Sequence, residues 1–307
     1  MSNSRVITAD FEYFAPGNVV EALSVMAGGN VKPIAGGTDL LNNIKTEGLN
    51  PPTLMNVLSI GELDYIRKNG RGSVSGSGSG NGKLTIGAAA RLRDIECARE
   101  IVDRFPALRE SINVIGGTQI RNMATLAGNV CNASPGADTP PVMIVLGAEV
   151  TVCKAGPNGK PECRTLPMED MFLGVKKTVL GPDELVTEIA IPFPPENSGQ
   201  SFRRLARVRL DIAKINCAVY LEKENGAVKT VRICFGSVAQ TPVRIKSVEK
   251  LVSGKALDET VVSEAAEAVA DDIKPITDVR STAEYRKQVA PTMLAEALLE
   301  AWNRAGE

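Results

Sequence analysis

The chain has 307 residues and contains no histidine. That absence excludes Ser-His-Asp triads, Cys-His dyads, imidazole metal ligands and histidine pH switches. An excess of positive charge is also missing, because 35 lysines and arginines stand against 36 aspartates and glutamates. No net positive field therefore favours binding to nucleic acid or to an anionic membrane. If the protein is an enzyme, a group other than imidazole must do the chemistry.

Closely spaced cysteines are absent as well. None of the six cysteines forms a CxxC pair, and the closest two, Cys153 and Cys163, are ten residues apart. Zinc and iron–sulfur sites ordinarily need tighter pairs. Because six cysteines in a chain of this length are too sparse for a disulfide scaffold, we expect buried free thiols in a reducing compartment.

Long apolar runs are missing too. No run approaches the roughly 18 residues of a membrane span, and residues 1–7 lack the apolar core of a signal peptide. We therefore expect a cytoplasmic protein without a membrane span. At about 150 residues per domain, the length predicts roughly two domains.

The first part of the chain has the pattern of an α/β unit with glycine-rich turns. An apolar run over residues 31–35 predicts a strand that enters such a turn. Residues 70–82 include six glycines and four serines, which predicts a flexible exposed loop between paired strands. We assign residues 1–180 to a first domain, with subdomains of about 1–60 and 61–180.

The last third reads as strands followed by helices. Residues 185–193 alternate as a half-buried strand does, and Asn225-Gly226 between two apolar runs predicts a hairpin. Two segments with helical spacing follow. We therefore assign residues 181–307 to a second domain with a three-stranded sheet and a helix bundle.

Two stretches carry candidate chemistry, and the first is the glycine turn, residues 34–40. Two adjacent glycines after a strand let the backbone approach a ligand closely, and successive N–H groups can hold an anion. Thr38 can add a hydroxyl donor. The turn is neither a Walker A loop nor a GxGxxG fingerprint, and a tight turn without a ligand is the alternative.

The second stretch is the polar segment, residues 118–138. Its small and hydrogen-bonding residues would let an extended ligand pack closely and would satisfy its polar atoms. A polar loop capped by Asx turns is the alternative, although long loops in compact domains are often functional. The residues that carry the pattern are Thr118, Gln119, Asn122, Thr125, Gly128, Asn129, Asn132, Ser134 and Asp138.

Five short motifs follow one another along the chain, namely AGGTDL, QIRNMATLAGN, NASPGAD, LDIAK and AEYRKQVAP. From about Phe11 to Ala297, the chain resembles the FAD-binding or medium subunit of the molybdenum hydroxylases. That family includes xanthine dehydrogenase, aldehyde oxidase and carbon monoxide dehydrogenase. The resemblance implies an α+β protein, in which a FAD-binding fold of the p-cresol methylhydroxylase type with two α/β subdomains precedes a C-terminal antiparallel sheet with helices.

The resemblance also implies that both stretches bind FAD. Backbone N–H groups of the glycine turn would wrap the pyrophosphate, so valine at Gly36 or Gly37 should give folded protein with little FAD. The family usually has two adjacent glycines where this chain has Ala127-Gly128, and a positive φ at Ala127 would cost about 1 kcal/mol or more. The implied contacts in these stretches are Pro33, Ile34, Ala35, Gly36, Gly37, Thr38, Asp39, Leu40, Thr118, Thr125, Leu126, Ala127, Gly128 and Asn129.

Further cofactor contacts are implied at matching positions elsewhere. Ile115 and Gly116 would lie near the flavin ring, and Asp138 would hold a polar end of the cofactor. Val186 would contact the adenine or the ring system. Arg203 would be a basic cofactor contact, and Asp211 would lie beside the flavin-facing segment.

The resemblance implies partners and a role as well. A large subunit would hold molybdopterin and a small subunit two [2Fe–2S] clusters, and the three chains would assemble as a dimer of heterotrimers. Electrons would pass from the clusters to FAD and on to NAD⁺ or another acceptor, with no catalytic acid–base residue and no metal in this chain. Since the usual histidine tether is impossible, we expect non-covalent FAD, with a tether at Cys131 as a minor alternative. A flavin-less bridging subunit and a free-standing flavin oxidoreductase of the same fold remain open.

Overall fold

The computed structural model describes residue 7, residues 10–69 and residues 82–306. The flexible loop predicted over residues 70–82 lies outside these ranges except for Gly82. Within them, no helix combines the length and apolar character needed to cross a bilayer.

The N-terminal unit is a small parallel sheet with helices. Its strands lie in the order β1 (Glu12–Phe14), β3 (Thr53–Asn56) and β2 (Val31–Ile34), and both pairings are parallel. Parallel neighbours need crossover connections, which helices α1 (Val19–Ala27) and α2 (Leu40–Glu47) supply. The Asn18 side chain caps α1 by accepting from the Glu21 N–H. The glycine turn therefore leaves the carboxyl end of β2 and enters α2.

The next unit is built on a five-stranded antiparallel sheet. The order is β4 (Ile66–Asn69), β5 (Lys83–Gly87), β10 (Leu185–Pro192), β6 (Glu149–Ala155) and β7 (Pro161–Pro167). A two-stranded hairpin, β8 (Phe172–Gly174) and β9 (Lys177–Thr178), lies between β7 and β10 in the chain. Six helices connect β5 to β6, and they are α3 (Leu92–Cys97), α4 (Arg99–Arg104), α5 (Pro106–Asn113), α6 (Thr118–Arg121), α7 (Leu126–Cys131) and α8 (Thr139–Val145).

The position of β10 bears on the predicted domain boundary after residue 180. This strand pairs with β5 on one side and with β6 on the other, so it completes the sheet of the first part of the chain. A boundary after residue 192 would keep this sheet within one unit, whereas the predicted boundary would divide it. Periodicity identified the strand correctly, but it cannot tell which sheet a strand joins.

The C-terminal unit packs an antiparallel sheet against helices. The strands lie in the order β11 (Ser198–Leu205), β12 (Ile215–Glu224), β13 (Ala227–Gly236) and β14 (Val243–Arg244). The sheet contains the three predicted strands and a fourth, the two-residue β14, at its edge. Asn225 and Gly226 both have positive φ, 53° and 73°, as the predicted hairpin requires. Helices α9 (Lys246–Val252), α10 (Glu259–Asp272) and α11 (Ala283–Arg304) complete the unit.

One pair of cysteines differs from the expectation. Cys153 and Cys163 are direct partners in the β6–β7 register, and they form a disulfide. An antiparallel hairpin brings residues that are ten apart in sequence to opposite positions, and the overall cysteine density does not reveal this. The other four are free thiols. Cys217 and Cys234 are buried as predicted, whereas Cys131 is half-buried and Cys97 is exposed.

Candidate functional site

The glycine turn and the polar segment lie in direct backbone contact. A Cβ atom placed on Gly36 would lie 2.0 Å from the carbonyl oxygen of Met123 and 2.8 Å from the nitrogen of Ala124. Only glycine fits at such a distance. The predicted effect of valine at this position therefore changes. The valine side chain would clash with the protein's own backbone before it could reach a bound phosphate group.

The glycine turn presents a row of unpartnered donors. Among the described residues, the backbone N–H groups of Gly36 through Asp39 donate to no other protein group. Gly37 has a φ of +69°, and its carbonyl oxygen accepts the N–H of Leu41 at 3.0 Å as α2 begins. Successive N–H groups around a left-handed residue form a concave anion site, so the turn has the donors that a phosphate group needs.

The part of the polar segment that also presents backbone N–H groups is the start of α7. Thr125 is buried and its hydroxyl accepts the N–H of Gly128 at 3.0 Å, which caps the helix. Within the described chain, the N–H group of Ala127 has no hydrogen-bond acceptor, whereas the N–H group of Leu126 faces the backbone next to Arg91 across the bridge between Arg91 and Thr125. Because Ala127 lies inside this right-handed helix, the positive φ that would have penalised alanine does not occur.

Asn129 and Thr118 occupy different environments in the same segment. The side-chain oxygen of Asn129 accepts the hydroxyl of Thr139 at 2.7 Å, which ties α7 to α8. Thr118 begins α6 and is exposed. Asn129 therefore helps to hold the segment together, while Thr118 presents its hydroxyl to the surroundings.

Sequence reasoning missed Arg121, which fixes the turn at Ile115 and Gly116. Its buried side chain pairs with Glu96 at 2.7 Å and donates to the carbonyl oxygens of Ile115 and Gly116, both at 3.2 Å. Gly116 has a φ of +51°, which favours glycine. The motif contained the arginine, but no local signal pointed to a partner 25 residues earlier.

Asp138 joins the polar segment to the C-terminal sheet. Its Oδ1 accepts from the Nε of Arg204 at 3.2 Å and from the Nδ2 of Asn216 at 2.9 Å. Burial raises the pKa of Asp138 to about 6, and the charge of Arg204 and the hydrogen bond from Asn216 oppose that rise. Neither bond uses Oδ2, which has no hydrogen-bond partner in the described ranges. One oxygen is thus held by the protein while the other is left for a ligand.

We expect the stability that Asp138 contributes to fall as the pH rises from 3.8 to about 6. Between these values the folded protein keeps a proton that the unfolded chain has released, so folding is favoured on the acid side. Urea unfolding of the wild type and of Asp138→Asn across this range measures the effect. The wild type's free energy of unfolding, relative to that of the variant, should decrease as the pH rises.

The control for this measurement is Asp103→Asn, because the side chain of Asp103 is 54% exposed and pairs with the exposed Arg99 in the same helix. That variant should show no such trend. A difference between wild type and Asp138→Asn that stays constant across the range would contradict the assignment.

The structure does not bring Arg203 to the two loops. Its guanidinium faces α11 and pairs with Glu296 at 3.7 Å and with Glu300 at 3.6 Å. The next residue, Arg204, points to the opposite face of β11 and meets Asp138, since side chains alternate along a strand. The basic residue at the polar segment is therefore Arg204, one position away from the implied contact.

The two remaining implied contacts offer little free side chain. The Asp211 carboxylate accepts from the Nε of Arg207 at 2.7 Å, and its backbone oxygen accepts from Arg204. Val186 is 3% exposed, its side chain belongs to the core around β10, and its backbone lies opposite Val152 in the β10–β6 pairing. Across the described part of the chain, no group of three acidic or cysteine side chains could hold a metal ion.

Comparison with known proteins extends along almost the whole chain. The FAD binding domain in molybdopterin dehydrogenase matches residues 9–194. The CO dehydrogenase flavoprotein C-terminal domain matches residues 200–301. The junction between these two matches coincides with the end of β10.

Individual relatives agree with both matches. The carbon monoxide dehydrogenase medium chain of Hydrogenophaga pseudoflava is 32% identical over 301 residues, covering 97% of this chain and 99% of the relative. A solved carbon monoxide dehydrogenase from that organism has a TM-score of 0.89, with 98% of this chain and 100% of the other covered. The xanthine dehydrogenase FAD-binding subunit of Escherichia coli O157:H7 is 28% identical, with 96% and 97% covered.

These findings confirm the predicted fold class. The relatives are dehydrogenase subunits, which confirms the predicted oxidoreductase class. The chain belongs to the family of FAD-binding subunits of the molybdopterin dehydrogenases, also known as the molybdenum hydroxylases.

Proposed function

We propose that this chain binds FAD non-covalently where the glycine turn meets the polar segment, and that it passes electrons from [2Fe–2S] clusters in a small partner subunit to an external acceptor such as NAD⁺. The observation that carries the FAD site is the row of four N–H groups from Gly36 to Asp39, which have no acceptor among the residues that the structure describes. Bound FAD supplies the redox chemistry, and the protein supplies binding and orientation.

The residues of this chain divide the binding work among themselves. The N–H groups of the glycine turn, with the Thr38 hydroxyl, donate to the phosphate oxygens, and the N–H group of Ala127 extends this set. The free Oδ2 of Asp138 accepts a hydroxyl group of the cofactor. Arg121 holds Ile115 and Gly116 in place for the ring. No acid–base residue of this chain takes part in the chemistry.

We place the chain in a complex with a large molybdopterin-binding subunit and a small [2Fe–2S] subunit, assembled as a dimer of heterotrimers. Support comes from relatives named as medium chains and from a solved relative described by the state of its molybdenum cofactor. Co-expression with the neighbouring genes should give a three-chain complex, whose mass reports the stoichiometry. Turnover of that complex with NAD⁺ as sole acceptor tests the proposed acceptor.

A Thr38→Val variant tests the phosphate assignment with little change in shape. Thr38 makes no side-chain hydrogen bond among the described residues, so removing its hydroxyl leaves the folded protein intact. Loss of one hydrogen bond worth about 0.5–1.5 kcal/mol should weaken FAD binding by roughly 2- to 13-fold. Titration of the apoprotein with FAD, followed by flavin fluorescence, measures the dissociation constant.

The matched control is Thr46→Val in α2. The Thr46 hydroxyl donates to the carbonyl oxygen of Asn42 at 2.9 Å and takes no part in the glycine turn. The control variant should bind FAD as the wild type does, and equal affinity in all three proteins would contradict the hydroxyl contact. Absorbance near 450 nm after reconstitution tests FAD binding itself, and denaturation should release the flavin.

The alternative of a flavin-less bridging subunit depended on alanine at position 127 in place of the family's glycine. Because Ala127 has a helical conformation that alanine adopts without strain, that argument no longer applies.

A further inference from the structure

The start of α11 carries a buried arginine that the cofactor site does not explain. Arg286 is 3% exposed and lies in the AEYRKQVAP motif. Its Nη1 donates to the carbonyl oxygen of Ser237 at 3.0 Å, and its Nη2 donates to Asp278 at 2.7 Å. Its buried Nε has no hydrogen-bond partner in the described part of the chain. Burying a guanidinium with incomplete pairing is unfavourable, so the position needs a compensating role.

Ser237, which follows β13, is the point where three segments meet. It is buried and has a φ of +62°, a left-handed conformation that non-glycine residues rarely adopt. Its N–H donates to the carbonyl oxygen of Pro135 at 2.7 Å, and its hydroxyl donates to that of Ala213 at 3.1 Å. Because Arg286 donates to the carbonyl oxygen of Ser237, every polar group of Ser237 forms a hydrogen bond. Strained residues of this kind cluster at functional sites.

Two further contacts hold the same segments together. A Cβ on Gly136 would lie 2.6 Å from the Cγ2 of Ile212 and 3.1 Å from the hydroxyl of Ser237, so the backbone of the polar segment packs tightly against Ile212. The ammonium group of Lys214 lies 5.1 Å from the centre of the Tyr285 ring, within cation–π range. The start of α11 therefore contacts residues 210–214 both directly and through Ser237.

A parallel link runs through Arg204, which binds both Asp138 and the backbone oxygen of Asp211. Ser237 and Arg204 therefore both connect residues 135–138 with residues 211–213. Of the two, only Ser237 is anchored to α11, and Arg286 is the anchor.

We propose that Arg286 is a positioning residue for the flavin site, which acts through Ser237 to hold residues 135–138 and 211–213 in the relative position at which Asp138 and Arg204 meet. This inference rests on the proposed function. In the described part of the chain, the hydrogen bonds of Arg286 go to Ser237 and Asp278 and not to the glycine turn or α7, so its effect on FAD is transmitted by the backbone it fixes.

An Arg286→Met variant of the full chain tests this role. FAD titration should give a dissociation constant at least tenfold higher than that of the wild type, and the visible circular dichroism of bound flavin should change because Asp138 moves. Arg304→Met is the matched control, since Arg304 lies on the same helix and donates to the Gln200 carbonyl at 2.9 Å and to Glu110 at 2.6 Å. It should lower the melting temperature while leaving the dissociation constant within twofold of the wild type.

Equal FAD affinity and unchanged visible dichroism in folded Arg286→Met would overturn the inference. If that variant does not fold, Ser237→Ala replaces it, because it removes only the hydroxyl that binds Ala213. We expect about a threefold weaker affinity from this second variant, and wild-type affinity would again overturn the inference. Arg286→Lys keeps a donor and should fall between wild type and methionine. A wild type that binds no FAD overturns the proposed function as well, which separates the two failures.

Discussion

Gly36→Ala is expected to destabilise the protein and to abolish FAD retention together. The new Cβ would lie 2.0 Å from the Met123 carbonyl oxygen, so the glycine turn and the start of α7 would have to separate. Forcing an extra carbon into a closely packed contact costs about 1–3 kcal/mol, and here the obstacle is backbone, which cannot rotate away. Urea unfolding and the ratio of flavin to protein absorbance after purification measure the two effects.

Gly61→Ala provides the control for loss of a glycine. A Cβ at that position meets no atom within 4 Å, and the residue does not have positive φ. Its free energy of unfolding should change by less than about 0.5 kcal/mol, as for most surface substitutions. A Gly36→Ala protein with wild-type stability and full flavin content would show that the two backbones are not in the contact described.

Arg121→Met is expected to produce the largest loss of stability among the substitutions considered. The pair with Glu96 is buried, with side chains 6% and 8% exposed, and removing one partner of such a pair costs about 3–5 kcal/mol. The partly exposed Arg93, which also pairs with Glu96 at 3.3 Å, would compensate only part of the remaining charge. The turn at Ile115 and Gly116 would also lose its donor. Denaturant unfolding measures the stability, and FAD titration of the folded fraction measures the effect on the site.

A double variant, Glu96→Leu with Arg121→Met, separates the charge from the geometry. Replacing both partners by apolar groups should restore much of the stability, while FAD binding should stay weak because the turn at Gly116 is still released. Arg99→Met, which breaks an exposed pair with Asp103, should cost no more than about 0.5 kcal/mol. Equal losses from Arg99→Met and Arg121→Met would contradict a special role for the buried pair.

Local patterns predicted the glycine turn well, because a strand followed by two glycines is contained within a few residues. They did not predict why Gly36 must be glycine, since Met123 comes close only in the folded chain. The same limit applies to Arg121, whose partner Glu96 is distant in sequence. Nonlocal pairs of this kind are fixed by packing, which single-sequence patterns do not contain.

Register was the second limit. Arg203 and Arg204 are adjacent and chemically alike, so a shift of one residue moves a charge from one face of β11 to the other. The disulfide between Cys153 and Cys163 likewise depends on the register of β6 and β7. Family resemblance supplied the cofactor and the order of the motifs, whereas the structure was needed to say which side chains meet.

The central place of β10 has a consequence for how the chain folds. This strand lies between β5 and β6, so each of those strands lacks one of its two neighbours until the ribosome has passed residue 192. During synthesis both would present unpaired edges, which are sites of misassembly. High contact order of this kind slows folding. The cofactor-binding half of the protein therefore cannot close as an independent early unit, and it reaches its final sheet only as the C-terminal strands begin to emerge.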